Sequence, residues 1–211
     1  MPHRAVASLA LLAVLAVAPA MPVAAQPATS TVTRLTPEQE RGLEDARRFV
    51  REFHRVYKPL YSVDVTPASW VGAKDLSQMA GVGLVYNLAA GKIYVSPSLL
   101  TAPYRDLLLS VTLAHHVLRR PTTAGSLAEL EQEQRQQRLD ANAKAVEVLV
   151  RARGLSEQAA FTQLASFLAA SPPAPPTPGR APTVGACEQL RDLQARYPQY
   201  RDPIAAPYCA P

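Results

Sequence analysis

Two histidines stand side by side in the run Leu113-Ala114-His115-His116-Val117-Leu118-Arg119, within a strongly apolar stretch. Imidazole ligates metals and moves protons near neutral pH, so this pair is where chemistry would be sought first. Neighbours on a helix diverge by about 100°, so His115 and His116 do not clasp one ion from the same face. The residue four places beyond His115 is Arg119. Its guanidinium stays protonated, only donates hydrogen bonds and repels a cation. Downstream, Gln136 offers a carbonyl without charge, while Glu133 and Asp140 offer carboxylates. His115, His116 and Asp140 are therefore weak metal candidates, and no residue is assigned as catalytic. There is no Gly-x-Ser-x-Gly, no glycine-rich phosphate loop and no cysteine near a histidine.

The elements that must position these residues are legible in spacing. Thr36-Pro37-Glu38-Gln39 opens a capped helix with an apolar face of Leu43, Ala46, Val50, Phe53 and Tyr57, ended at Lys58-Pro59. His54, among Arg51, Glu52 and Arg55, reads as a surface or boundary residue. Leu60 to Val65 reads as a short strand. Residues 83–87 and 92–95 read as a hairpin joined by Leu88-Ala89-Ala90-Gly91. Tyr86, Tyr94 and Trp70 either pack in a core or line a groove beside it. A helix from about Pro103 to Arg120, apolar around most of its circumference, is expected to be central. Ser126 and Glu129 open a long helix to Arg153, stopped by Gly154. Its first half, through Arg138, is polar and expected to project into solvent. Ser156 caps another helix bearing Phe161, Leu164 and Leu168, and Glu188 to Arg196 reads as a short last helix. The fold class is α+β, mostly helical with a small hairpin or sheet. A main domain over 36–171, a Pro-rich linker over 172–185 and a tail over 186–211 are expected.

The segment Gly91-Lys92-Ile93-Tyr94-Val95-Ser96-Pro97-Ser98-Leu99-Leu100, followed by the helix with the paired histidines, resembles zinc metallopeptidases of the gluzincin type. The likeness is to the M48-like membrane-associated and periplasmic peptidases, over roughly residues 36–170. It implies a zincin-like fold, with a buried helix bearing His-Glu-x-x-His and a later helix bearing Glu-x-x-x-Asp-x-x-Ala. At the matching positions this chain has His115, then His116 for the glutamate and Arg119 for the second histidine. Gln136 stands for the third ligand, and Asp140 keeps the outer-shell aspartate. Two histidines four apart share one zinc ion, and the glutamate takes a proton from the bound water. With those positions replaced, the resemblance implies a degenerate relative with no zinc cofactor and no hydrolysis. It also implies that Lys92–Val95 matches the edge strand that pairs with extended peptide. A polar pair from His115 or Arg119 to Asp140 is expected in place of the metal.

The first residues set the compartment. Arg4 without an acid, an apolar run from Ala5 to Ala18, and Val23-Ala24-Ala25 before Gln26 form a secretory signal pattern. Residues 1–25 are expected to be cleaved between Ala25 and Gln26, leaving 26–35 as a polar lead-in. A helical run of about 14 residues is about 21 Å long, short of a bilayer core of about 30 Å. No integral membrane segment is expected after cleavage, and the chain is expected to be secreted or periplasmic. In an oxidising compartment Cys187 and Cys209, the chain's two cysteines, are expected to pair. The formal net charge is +5, but charges alternate along the helices instead of clustering, which argues against nucleic acid as a partner. The expected function is an exported, non-catalytic, pseudopeptidase-like binding or scaffold protein of the cell envelope, its partner a peptide or envelope protein. Two alternatives stand beside it: a structural or envelope-interaction module of unrelated fold, and an atypical metal-binding protein using His115 and His116.

Overall fold

Thr36 and Gln39 close a reciprocal capping box, each side chain bonding the other's backbone N–H, at the head of helix α1 (Pro37–Tyr57). In the computed structural model, residues 34–68, 83–87, 89–119, 121–171, 184–200 and 209 are described. The expected signal peptide, its cleavage site at Ala25 and Gln26, most of the lead-in, the stretch around Trp70 and most of the Pro-rich linker lie outside them. Helix α1 stops where Lys58 adopts the left-handed conformation, φ 45°, immediately before Pro59. A residue before proline is barred from continuing a helix, and the reversal sends the chain back along α1.

The strand expected over Leu60 to Val65 begins later, as β1 (Asp64–Pro67). Strands β2 (Leu84–Asn87) and β3 (Lys92–Val95) form the expected antiparallel hairpin. Its turn carries Gly91 at φ 60°, where a Cβ would also lie 2.8 Å from the Ser62 carbonyl. β1 runs parallel to β3, so the sheet order is β1-β3-β2. This corrects one expectation. Lys92–Val95 is the central strand, its backbone committed on both sides, and is not an edge for an incoming peptide. The β1 edge is partly sealed as well. The Val65 carbonyl accepts from Arg47 Nε at 3.2 Å, and the Val65 N–H donates to Asp64 at 2.8 Å.

The register puts Val65 and Tyr86 on either side of Ile93. Paired residues share a sheet face, so this face carries buried Val65, Ile93 and Val95 into the core and points Tyr86 the same way. A one-turn helix, α2 (Pro97–Leu100), leads into α3 (Arg105–Leu118), shorter at both ends than expected. Leu107, Leu109, Leu113 and Ala114 of α3 are buried, and it packs most heavily on α4 (Leu127–Arg153). The first half of α4 is exposed, as its composition implies, and its second half enters the core through Ala141, Ala145, Val148 and Leu149. Helix α5 (Glu157–Ala170) follows the Gly154 stop.

Helix α6 (Ala186–Arg196) and a 3₁₀ turn (Pro198–Tyr200) complete the described chain. Cys187 and Cys209 are disulfide-bonded. Leu190 and Leu193 of α6 are buried in the same apolar cluster as α4 and α5, so the looped tail joins the main core. The molecule is mostly helical with one small three-stranded sheet. Among the described residues no helix is long and apolar enough to cross a membrane.

Candidate functional site

His116 of α3 lies where that helix meets the Tyr86 side chain of the hairpin, and is only 8% exposed. Its Nε2 lies 2.8 Å from the Tyr61 carbonyl, and its Nδ1 lies 2.5 Å from the Tyr86 hydroxyl. A carbonyl only accepts, so Nε2 carries the proton and Nδ1 accepts from the tyrosine. Both ring nitrogens are thereby spent on the protein. Across the Phe53 ring, His54 of α1 accepts from the Val63 N–H at 3.2 Å. His54 thus sits at the boundary, half-buried, and anchors this backbone. Burial, followed by the proximity of His116, lowers its affinity for a proton, with Asp64 opposing. Two histidines from two helices therefore hold the backbone of residues 58–63, the loop between α1 and β1.

His115 points elsewhere. It is half-buried on α3, with its proton affinity lowered by burial and then by the Arg138 charge on α4. Arg119 is the C-cap of α3 at φ −57°, ψ 124°, off the helical path. Pro121 follows two residues later and stops the helix short, so the four-residue spacing from His115 no longer places the two side chains on one face. Gln136 donates to Asp140 at 2.9 Å, and Asp140 also accepts from Arg196 of α6 at 2.8 Å. The polar pair expected between Asp140 and either His115 or Arg119 is therefore not formed; the tail supplies the partner. Both members of the Asp140–Arg196 pair are about one-third exposed or more. Asp140→Ala should then lower stability by no more than about 1 kcal/mol, read as a melting temperature almost unchanged. Glu133 clamps the α3–α4 connection, accepting from both Thr122 and Thr123 hydroxyls at 2.6 and 2.7 Å.

Four of the five motif positions thus divide between two places, and His115 lines neither. His116 and Arg119 open on one concavity, whereas Gln136 and Asp140 line another beside Leu118 and Glu133. Zinc does not fit this donor set. His116 has no free nitrogen, Arg119 is a cation, and the Gln136 amide is turned to Asp140 as a donor. Among the described residues no three His, Cys, Asp or Glu side chains are grouped as ligands.

The concavity at His116 has a volume of about 510 Å³ and is walled by Tyr61, Ser62, Tyr86, Gly91 and Arg119. A second, of about 220 Å³, adjoins it through Tyr61, His116 and Arg119 and is closed by Lys58, Pro59 and Leu60. Sequence spacing pointed to His116 and Arg119, and left Tyr86 between core packing and a groove. It gave no signal for Tyr61 or Lys58, which arrive through the turn after α1. No known protein family, curated protein or solved structure matches this chain.

Proposed function

We propose that this chain is an exported, non-catalytic binding or scaffold protein of the cell envelope, built on a zincin-like arrangement whose metal centre has been lost. The observation that carries the non-catalytic part is the double commitment of His116, whose ring holds Tyr61 and Tyr86 where a zincin has its catalytic glutamate. A proton-transfer group must be free to face substrate and water, and this ring is a structural strut. Export rests on the basic, apolar and small-residue succession over residues 1–25. The element order supports the ancestry: helix, strand, hairpin, buried helix, then a long helix polar at its start.

Two measurements test this. The full chain, expressed with and without residues 2–25, should be found outside the cytosol only when they are present. Incubated with unstructured casein and zinc, it should release no peptides; zinc-dependent cleavage abolished by His115→Ala would overturn the proposal.

A second reading, a scaffold of unrelated fold, is favoured by the separation of His116 and Arg119 from Gln136 and Asp140. The triple variant His116→Glu, Arg119→His and Gln136→Glu separates the two. Stoichiometric zinc uptake speaks for zincin descent, and a folded variant without zinc affinity speaks for the unrelated scaffold.

A further inference from the structure

The two adjoining concavities at the C-terminal end of α3 have a one-sided electrostatic character. Lys58 and Arg119 open on them, and among the described residues no carboxylate is in their walls. Most other arginines of the described chain are neutralised. Arg51, Arg55, Arg105, Arg135, Arg153 and Arg196 each face an acid within 2.8 Å. Arg119 has no such partner among the described residues, is exposed, and stands on the boundary between the two concavities. A guanidinium in that position presents a planar fork that matches a carboxylate in two parallel hydrogen bonds.

The rim is apolar in the same place. Leu60 is 95% exposed and Tyr61 is 67% exposed. Their exposure follows from how the loop is fixed. His116 holds the Tyr61 carbonyl and His54 holds the Val63 N–H, so the backbone is pinned inward while the side chains face out. Large apolar side chains held outward beside a charged concavity are a usual mark of a recognition surface. Both chemistries therefore meet at one place in the fold: two cations, one of them an anion-seeking fork, and an aromatic-aliphatic ledge.

We infer that this cleft binds an acidic peptide segment of a partner protein, with a carboxylate on Arg119 and a neighbouring apolar side chain against Tyr61 and Leu60. An anionic polysaccharide offers the charge without aliphatic side chains for the ledge. A phospholipid surface offers both, but it is flat, and Arg119 and Lys58 are set around concavities that take an inserted chain. The combined space suits one or two side chains, within the range of ligand pockets. Lys58 in the wall of the smaller concavity adds attraction, so association weakens with salt. This inference rests on the binding role proposed above and names its site and ligand class.

The test uses the full chain and three probes. These are a fluorescein-labelled peptide of alternating Glu and Leu, its Lys and Leu counterpart, and vesicles of phosphatidylglycerol and phosphatidylcholine. The acidic peptide should bind with salt-sensitive affinity, and the basic one should not. Arg119→Ala should weaken binding by about tenfold or more, with Arg119→Lys intermediate. Tyr61→Ala should weaken it with little change in salt dependence. Both side chains are exposed, so the variants should melt as the parent does. Equal binding of the two peptides, indifference to Arg119→Ala, or binding to the vesicles alone would each overturn the inference. Failure to bind peptide without any cleavage of casein removes this site but leaves the non-catalytic role standing, whereas cleavage removes that role itself.

Discussion

His116 is where a single side chain decides most. It joins three segments by two hydrogen bonds: its own helix, the hairpin through Tyr86, and the α1–β1 loop through Tyr61. His116→Leu keeps the bulk but leaves the Tyr86 hydroxyl and the Tyr61 carbonyl without partners, a cost of about 1–3 kcal/mol. The melting temperature should fall by several degrees, and protease cleavage near Leu60 should accelerate; unchanged cleavage would show that the loop does not depend on this ring. Titration adds a second test. Burial lowers the proton affinity of both His54 and His115 in the folded chain. The unfolded chain therefore takes up protons first, near the usual histidine pKa of about 6.5. Stability is full above that pH and declines as pH drops towards the lowered folded values. The neighbours of His54 are Asp64, which opposes the shift, and His116, which reinforces it. A double variant, His54→Gln with His115→Gln, should flatten the decline between about pH 7 and pH 5; an unaltered slope would assign it to other groups.

Among the elements, the strongest polar fastening is not at the histidines but at the opposite end of α3. Asp45 of α1 is gripped by Arg105 of α3 and by Arg153 of α4, with Arg153 at 2.5 Å, and Arg153 also reaches Asp106 at 2.6 Å. Arg105 is only 12% exposed and additionally donates to the Gly42 and Leu100 carbonyls. The helices meet so closely there that a Cβ at Gly42 would fall 2.2 Å from the Leu100 carbonyl oxygen. Asp45→Ala leaves Arg105 and Arg153 sharing only the Asp106 carboxylate, and should cost about 1–2 kcal/mol because the pair is partly exposed. Adding Arg153→Met should cost less than the two changes summed, if the pair is coupled. The hydrogen bond from Arg153, with the charges of Arg153 and Arg105, holds the Asp45 carboxyl below its ordinary range. Its contribution is therefore present above about pH 4 and is lost as pH falls through the lowered folded value. None of this was readable from the chain. The capping boxes at Thr36 and Ser126 and the Gly154 stop were, because each is settled within three or four residues. Arg153 and Asp45 lie 108 positions apart, and nothing local distinguishes them from the solvated charges around them. The site divides along the same line. His116 and Tyr86 stood out by type and placement, whereas Tyr61 and Lys58 depend on how the chain reverses after α1. The mistaken edge strand has the same origin, since strand order depends on where β1 inserts and not on its own pattern.

At the scale of the whole molecule, the tail closes the fold. Buried Asn142 of α4 donates to Gln189 of α6 at 3.0 Å, and Gln189 donates to the Val184 carbonyl at 2.8 Å. Tyr197 and Tyr200 cover the Phe161 ring of α5, and Leu190 and Leu193 fill the core beside it. A disulfide spanning 22 positions then restrains this cover. Loss of loop entropy in the unfolded chain makes such a bridge worth about 3 kcal/mol. Cys187→Ser with Cys209→Ser should lower stability by about that amount, and α6 should lose amide-exchange protection before α3 and α4 do. The proposed export would link compartment and fold, because thiols stay reduced in the cytosol. A chain lacking residues 2–25 should therefore accumulate in the cytosol with both cysteines reduced. It should melt as the double serine variant does and recover the parent's stability when oxidised after purification. Had the retained chain equalled the exported one before oxidation, the tail would owe its place to Asn142 and the leucines alone, and export would contribute nothing to the fold.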